Sequence, residues 1–160
     1  MTAHPTLDDV RAARERIAGR VRHTPLATSR VVPGLLKLES EQDTGSFKLR
    51  GATNRLLMLS AGERERGVVA VSSGNHGRAV AKVSADLGIE AVICLSSRVP
   101  PIKADAIAAL GARVVVAGPS QDDADAEARR LVRDEGLTFV HPFDDPAVIA
   151  GQGTAGLEVL

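Results

Sequence analysis

Val68-Val69-Ala70-Val71-Ser72-Ser73-Gly74-Asn75-His76-Gly77-Arg78 is where the pattern of the chain changes. Four apolar residues run without alternation, as in a strand covered on both faces. A loop of small and polar residues follows, and a helix is predicted over 77–87, closed by Gly88. The unit then repeats. Ala91-Val92-Ile93-Cys94-Leu95 is a second apolar strand, and residues 101–110 form a second helix with Pro101 in its first turn and Gly111 at its end. Val114-Val115-Val116-Ala117 is a third strand. A charged amphipathic helix over 122–134, closed by Gly136, leads into a fourth strand over 137–140. Strand starts recur every 23–25 residues or so, roughly the length of compact βαβ units. Four strands with three crossover helices give an α/β, doubly wound parallel sheet with helices on both faces.

The flanks do not continue that sheet. Upstream, Thr6-Leu7-Asp8-Asp9 is a capping start for a helix to about Ile17. Thr24 is extended because it precedes Pro25, and Leu35-Leu36-Lys37-Leu38-Glu39 is a short strand. In Thr44-Gly45-Ser46-Phe47-Lys48-Leu49-Arg50-Gly51-Ala52, Gly45 and Ser46 read as a loop end and a helix N-cap, with the helix running to about Leu59. Lys48 then falls in the first turn, where the helix dipole disfavours a cation by roughly 0.3–1 kcal/mol. That placement favours the neutral amine, the nucleophile of Schiff-base chemistry. A solvated lysine tolerating its position is the alternative. Downstream, residues 142–146 are a loop and Ala147 opens another helix. The sequence stops at Leu160 within an apolar-periodic segment without a stop signal, so an amino-terminal piece of a longer protein is expected. The expected division is 1–62 (part of a larger domain), 63–143 (the four-stranded domain) and 144–160 (a return into the larger domain).

Composition limits the partners. Twenty basic and 20 acidic residues cancel, and the aromatics are Phe47, Phe139 and Phe143 alone. Such a chain offers little to phosphates or stacked bases, so nucleic acid is not expected. No apolar run nears the ~20 residues that span a bilayer, and Met1-Thr2-Ala3-His4-Pro5 lacks a secretory layout. Cys94, the lone cysteine, sits in an apolar strand and reads as a core residue. A cytoplasmic protein is the expectation.

The loop after the first sheet strand carries the chemistry. Ligands of open parallel sheets sit beyond the carboxyl ends of the strands, and a helix N-terminus there attracts an anion. Ser72, Ser73 and Asn75 add hydrogen-bonding side chains, while Gly74 and Gly77 permit close backbone approach. A carboxylate or phosphate would fit; a plain turn with a serine cap is the other reading. His76 either orients the loop or titrates in catalysis. His4, His23 and His141 have no partners in the sequence and read as ordinary residues. Asp122, Asp123, Asp125 and Glu127 read as the solvated first turns of a helix, so no metal site is expected.

Taken together, Lys37-Leu38-Glu39, the Lys48 stretch and Ser72-Ser73-Gly74-Asn75-His76-Gly77 resemble the fold type II pyridoxal-phosphate enzymes, in the threonine dehydratase and serine racemase branch. Pro142-Phe143-Asp144-Asp145-Pro146-Ala147-Val148-Ile149-Ala150-Gly151-Gln152-Gly153-Thr154 is also typical of that branch, and finer features are most similar to hydroxyectoine-utilisation dehydratases. The resemblance implies a tryptophan synthase β-like architecture and pyridoxal 5'-phosphate as cofactor. It also implies that Lys48 forms the Schiff base and moves the α-proton, that Phe47 packs beside the cofactor, and that Asn75 bonds its phenolic oxygen. Ser72, Ser73, Gly74, Asn75 and His76 would hold the substrate carboxylate. The implied reaction removes the β-hydroxyl and amine of a small hydroxy amino acid, with a homodimer at full length. Ser73 stands where serine racemases carry their second acid–base group, so racemisation is the implied alternative. An inactive fragment and a non-catalytic anion-binding module are the other readings. Two departures stand out: the segment between Pro25 and Leu35 is shorter than is usual in the family, and the family's phosphate cup and pyridine-nitrogen partner lie beyond Leu160.

Overall fold

A computed structural model describes residues 4–29, 31 and 33–160. Helix α1 (Leu7–Ile17) opens on a reciprocal capping box between Thr6 and Asp9. Strands β1 (Leu26–Thr28) and β2 (Leu35–Lys37) pair antiparallel, with Leu26 opposite Lys37 and Thr28 opposite Leu35. Arg30 and Val32, between these strands in sequence, lie outside the described residues, as do residues 1–3. Helix α2 (Lys48–Leu57) follows, then α3 (Ala61–Arg66), a short helix that the apolar pattern alone did not signal. Its Ser60/Glu63 capping box was nonetheless present in the sequence.

The repeating region comprises β3 (Val68–Val71), α4 (Asn75–Leu87), β4 (Ala91–Leu95), α5 (Pro101–Ala108), β5 (Arg113–Val116), α6 (Gln121–Glu135) and β6 (Thr138–Phe139). All strand pairs in this sheet are parallel, in the order β5-β4-β3-β6. The order reverses at β3, which places the loop after β3 at the switch point where open sheets bind ligands. Alternate residues of β3 serve opposite faces. Val68 and Ala70 join a core with Ala79, Val80 and Val83 of α4, Ile107 of α5, and Leu49, Ala52 and Leu56 of α2. Val69 and Val71 join Val92, Cys94 and Ala124, Ala128 and Leu131 of α6. Burial pushes the Cys94 thiol up to about 11, which suits an inert core residue.

Helix α7 (Pro146–Leu157) returns to lie against α2. The two backbones touch: a Cβ on Gly151 would stand 2.7 Å from both the Arg50 carbonyl oxygen and Gly51 Cα. That contact brings Glu158, just past α7, to Arg50. The Arg50 side chain is only 1% exposed and forks to two carboxylates. Nε and Nη2 donate to Glu39 at 2.8 and 2.7 Å, and Nη1 and Nη2 donate to Glu158 at 2.6 and 2.8 Å. Lys37 Nζ adds a second cation on Glu158 at 2.5 Å. The cluster therefore holds two charges of each sign.

Candidate active site

Strand β3 delivers Ser72, Ser73 and Gly74 to the end of the sheet, and α4 begins at Asn75, two residues earlier than the sequence suggested. Its N-cap is Gly74, and no side chain caps it. Ser72 Oγ instead accepts the Gly74 amide at 3.3 Å within the turn, so the serine-cap reading does not describe this loop. An uncapped helix start leaves backbone donors and the dipole available to an anion. Gly77 makes the turn possible, because a Cβ there would stand 2.2 Å from the Ser72 carbonyl oxygen.

His76 turns inward. It is 3% exposed, and its Nε2 lies 3.0 Å from the Val140 carbonyl oxygen. A carbonyl only accepts, so Nε2 carries the proton. Burial lowers the imidazole pKa to about 4, leaving the ring neutral with a bare, unpartnered Nδ1. Of the two roles left open for this residue, the contacts support orientation of the loop.

Lys48 opens α2, but Ser46 is not its cap. Phe47 occupies the N-cap position in helical geometry, and the buried Ser46 Oγ has no partner. The helix starts instead through a tight turn in which the Leu49 and Arg50 amides reach the Ser46 and Phe47 carbonyls at 3.4 and 3.1 Å. Gly45, at φ +75°, turns the chain into it. Lys48 Nζ donates to the Pro142 carbonyl at 2.6 Å and lies 5.2 Å from the centroid of the Phe47 ring, which is 43% exposed. No carboxylate pairs with this amine among the described residues, and burial lowers its pKa. Arg50, two residues on, takes two carboxylates. The two cations of one helical turn are thus treated oppositely: one is neutralised, the other kept unpaired and partly desolvated.

Lys48 and the 72–76 loop meet through the chain after β6. His76 holds the Val140 carbonyl and Lys48 holds that of Pro142, and His76 lies within electrostatic reach of Lys48. Phe47, Lys48 and His76 are therefore brought to one place, with Ser72, Ser73, Gly74 and Asn75 on the adjoining turn. His141, read from sequence as ordinary, is part of the same stretch: its Nδ1 accepts the Phe143 and Asp144 amides at 3.3 and 2.7 Å. In the sequence its only signal was its place directly before the Pro142-Phe143-Asp144-Asp145 segment. Asp145 caps α7 and pairs with Arg55 at 2.9 Å. The acids of α6 are engaged locally, Asp123 with Ser120, Asp125 with Arg129 and Glu127 with Arg130.

A half-buried, carboxylate-free primary amine beside an exposed aromatic ring, on a segment shared with the buried histidine of an uncapped helix start, fits the aldehyde end of pyridoxal phosphate and an anionic substrate group. The family model described as "Pyridoxal-phosphate dependent enzyme" matches residues 17–160. The chain belongs to this family of pyridoxal-phosphate-dependent enzymes, in its fold type II architecture. A Sinorhizobium fredii protein that carries a threonine dehydratase name is 52% identical over 161 residues, covering 97% of this chain and 48% of the relative. The L-threonine ammonia-lyase of Thermotoga maritima is 44% identical over 97% of this chain and 40% of its own length. The crystal structure of serine racemase from Dictyostelium discoideum superposes with a TM-score of 0.91 at 35% identity, over 98% of this chain and 53% of that one. The chain spans about half the length of the relatives it matches. No helix among the described residues is long and apolar enough to cross a membrane.

Proposed function

We propose that this chain supplies the amine-bearing half of the active site of a pyridoxal-phosphate-dependent lyase, one that removes the β-hydroxyl and amine of a small hydroxy amino acid of the threonine or serine type. The observation that carries the reading is the Lys48 amine, held without an acid partner among the described residues on the Pro142 carbonyl, in the same segment whose Val140 carbonyl takes the His76 imidazole. Similarity to proteins named for threonine dehydration supports the reaction class.

Lys48, Phe47 and Asn75 would hold the cofactor, which when bound supplies an electron sink for the carbanion formed at the substrate α-carbon. The residues of this chain do the positioning. Amides and hydroxyls of Ser72, Ser73, Gly74, Asn75 and His76 bind the substrate carboxylate at the α4 N-terminus, with Gly77 allowing the close approach. Neutral His76 keeps that turn seated on Val140. Lys48 Nζ, its neutral form favoured by burial, accepts the α-proton and can return it. Holding the carboxylate while the amine faces the α-hydrogen supplies the orientation that the chemistry needs.

Addition of pyridoxal phosphate to protein expressed from the complete reading frame is expected to give a visible absorption band that Lys48→Ala abolishes. L-threonine or L-serine should then yield a keto acid and ammonia in a coupled assay. An unchanged band in Lys48→Ala removes the lysine from its role. Half-buried Ser73 within the anion loop favours a second reading, racemisation, which chiral chromatography of the amino acid after incubation detects as the D-enantiomer. Hydroxyectoine-derived amino acids belong in the substrate panel because of the Pro-Phe-Asp-Asp resemblance.

A further inference from the structure

The residues after β6 do more than connect elements. His141, Pro142, Phe143 and Asp144 form a turn in which the imidazole plays the part an Asx side chain plays elsewhere, accepting the amides two and three residues on. Two backbone donors on Nδ1 leave that nitrogen bare, so the ring proton sits on Nε2. The Phe143 amide and the Pro142 carbonyl belong to one peptide unit, which is planar and trans. In a trans peptide the N–H and C=O point in opposite directions. Fixing the amide on His141 therefore fixes the direction of the carbonyl, and that carbonyl is the acceptor of Lys48 Nζ at 2.6 Å.

The imidazole is itself held. Its ring packs edge-on against Phe143 at 4.5 Å between centroids and tilted against Phe139 at 6.0 Å. Arg55, Arg129, Asp144 and Asp145 line the adjoining hollow of about 550 Å³, and buried His76 also lies within electrostatic reach of the imidazole.

We propose that His141 is a positioning residue for the reactive lysine: by receiving the Phe143 and Asp144 amides on Nδ1, it sets the Pro142 carbonyl that holds Lys48 Nζ at the mouth of the anion loop. This rests on Lys48 being the amine that meets the cofactor aldehyde. His141 touches neither cofactor nor substrate in that role. It acts through one peptide plane.

The test is the rate at which pyridoxal 5'-phosphate and cyanoborohydride modify Lys48 in this chain, read by peptide mass spectrometry against exposed Lys103 as internal control. His141→Leu removes the acceptor but keeps apolar bulk between the two phenylalanines, and His141→Ala removes both. His141→Asn retains an acceptor for the same two amides. Modification at Lys48 is expected to slow about tenfold in the Leu and Ala variants, the scale of one to two lost hydrogen bonds, and to stay near the unsubstituted rate in Asn. Lys103 should be unaffected, and amide-exchange protection of β4 should persist. A His141→Leu or His141→Ala chain that keeps β4 protection and labels at the unsubstituted rate overturns the proposal, as does an Asn variant as slow as Ala. If Lys48 in the unsubstituted chain labels no faster than Lys103, it is the reading of Lys48 as the reactive amine that fails.

Discussion

Replacing Arg50 by methionine should be among the most damaging single changes in this chain, and its cost should depend on pH. The guanidinium is 1% exposed and makes four bonds to Glu39 and Glu158, with Thr154 Oγ1 at 3.3 Å and the Arg22 carbonyl at 3.2 Å completing its set. Methionine fills much of the volume but leaves two carboxylates without their main partner. Removing one member of a buried ion pair costs about 3–5 kcal/mol. Glu158 keeps Lys37, and Glu39 keeps the Thr24 hydroxyl at 2.6 Å, so the lower end, about 3 kcal/mol at pH 7, is expected. Burial by itself raises both carboxyls, and the Arg50 bonds override it, holding each below the usual range. The stability they contribute is therefore present above the unfolded-state pKa and lost as pH falls through the lower folded value. In Arg50→Met the contribution of the Arg50 bonds is absent at every pH, so the cost relative to the unsubstituted chain shrinks as pH falls below the unfolded-state value and that chain loses the same contribution. Urea unfolding followed by circular dichroism at pH 7.5 and at about pH 4 measures both quantities. A loss below about 1 kcal/mol at pH 7.5, or a loss that grows on acidification, would refute the reasoning. Because Arg50 lies two residues from Lys48 on the first turn of α2, cofactor labelling at Lys48 should fall together with stability.

Other substitutions probe the anion loop. His76, neutral in the fold with a pKa of about 4, binds its proton more readily when unfolded, so stability should fall as pH drops from about 6.5 toward 4, by at most about 3 kcal/mol. His76→Asn should flatten that limb of the stability profile, and an unchanged limb would assign it to other groups. Gly77→Ala gains about 1 kcal/mol of helix propensity but sets a Cβ 2.2 Å from the Ser72 carbonyl oxygen. Net destabilisation of about 1–3 kcal/mol by urea unfolding is expected, with weaker substrate carboxylate binding; a more stable Gly77→Ala chain would show that the turn can yield.

The parallel sheet was legible because its strands are short, apolar on both faces and regularly spaced, and because Gly88, Gly111 and Gly136 mark the ends of the helices between them. Lys48 and the 72–76 loop could be singled out for a related reason. Their chemistry follows from local position, a cation or an uncapped amide at a helix start. The boundaries around them were less legible. Ser46 has a capping residue's chemistry, yet a tight backbone turn starts α2 and buries its hydroxyl. Residues 137–140 carry strand propensity, yet only Thr138 and Phe139 are strand, each paired with β3, and the chain leaves the ladder at Val140, whose carbonyl turns to His76.

What the sequence determined by itself was the set of elements and the kind of residue at each helix start, since periodicity, caps and glycines act within one turn or one strand. What the tertiary structure alone decided was which distant groups meet: Lys48 with Pro142, His76 with Val140, and Arg50 with Glu39 and Glu158. Those pairings depend on the reversal of strand order at β3 and on α7 lying against Gly51 of α2. A hydrogen bond or an ion pair acts over a few ångströms in space, and separation along the chain carries no record of it.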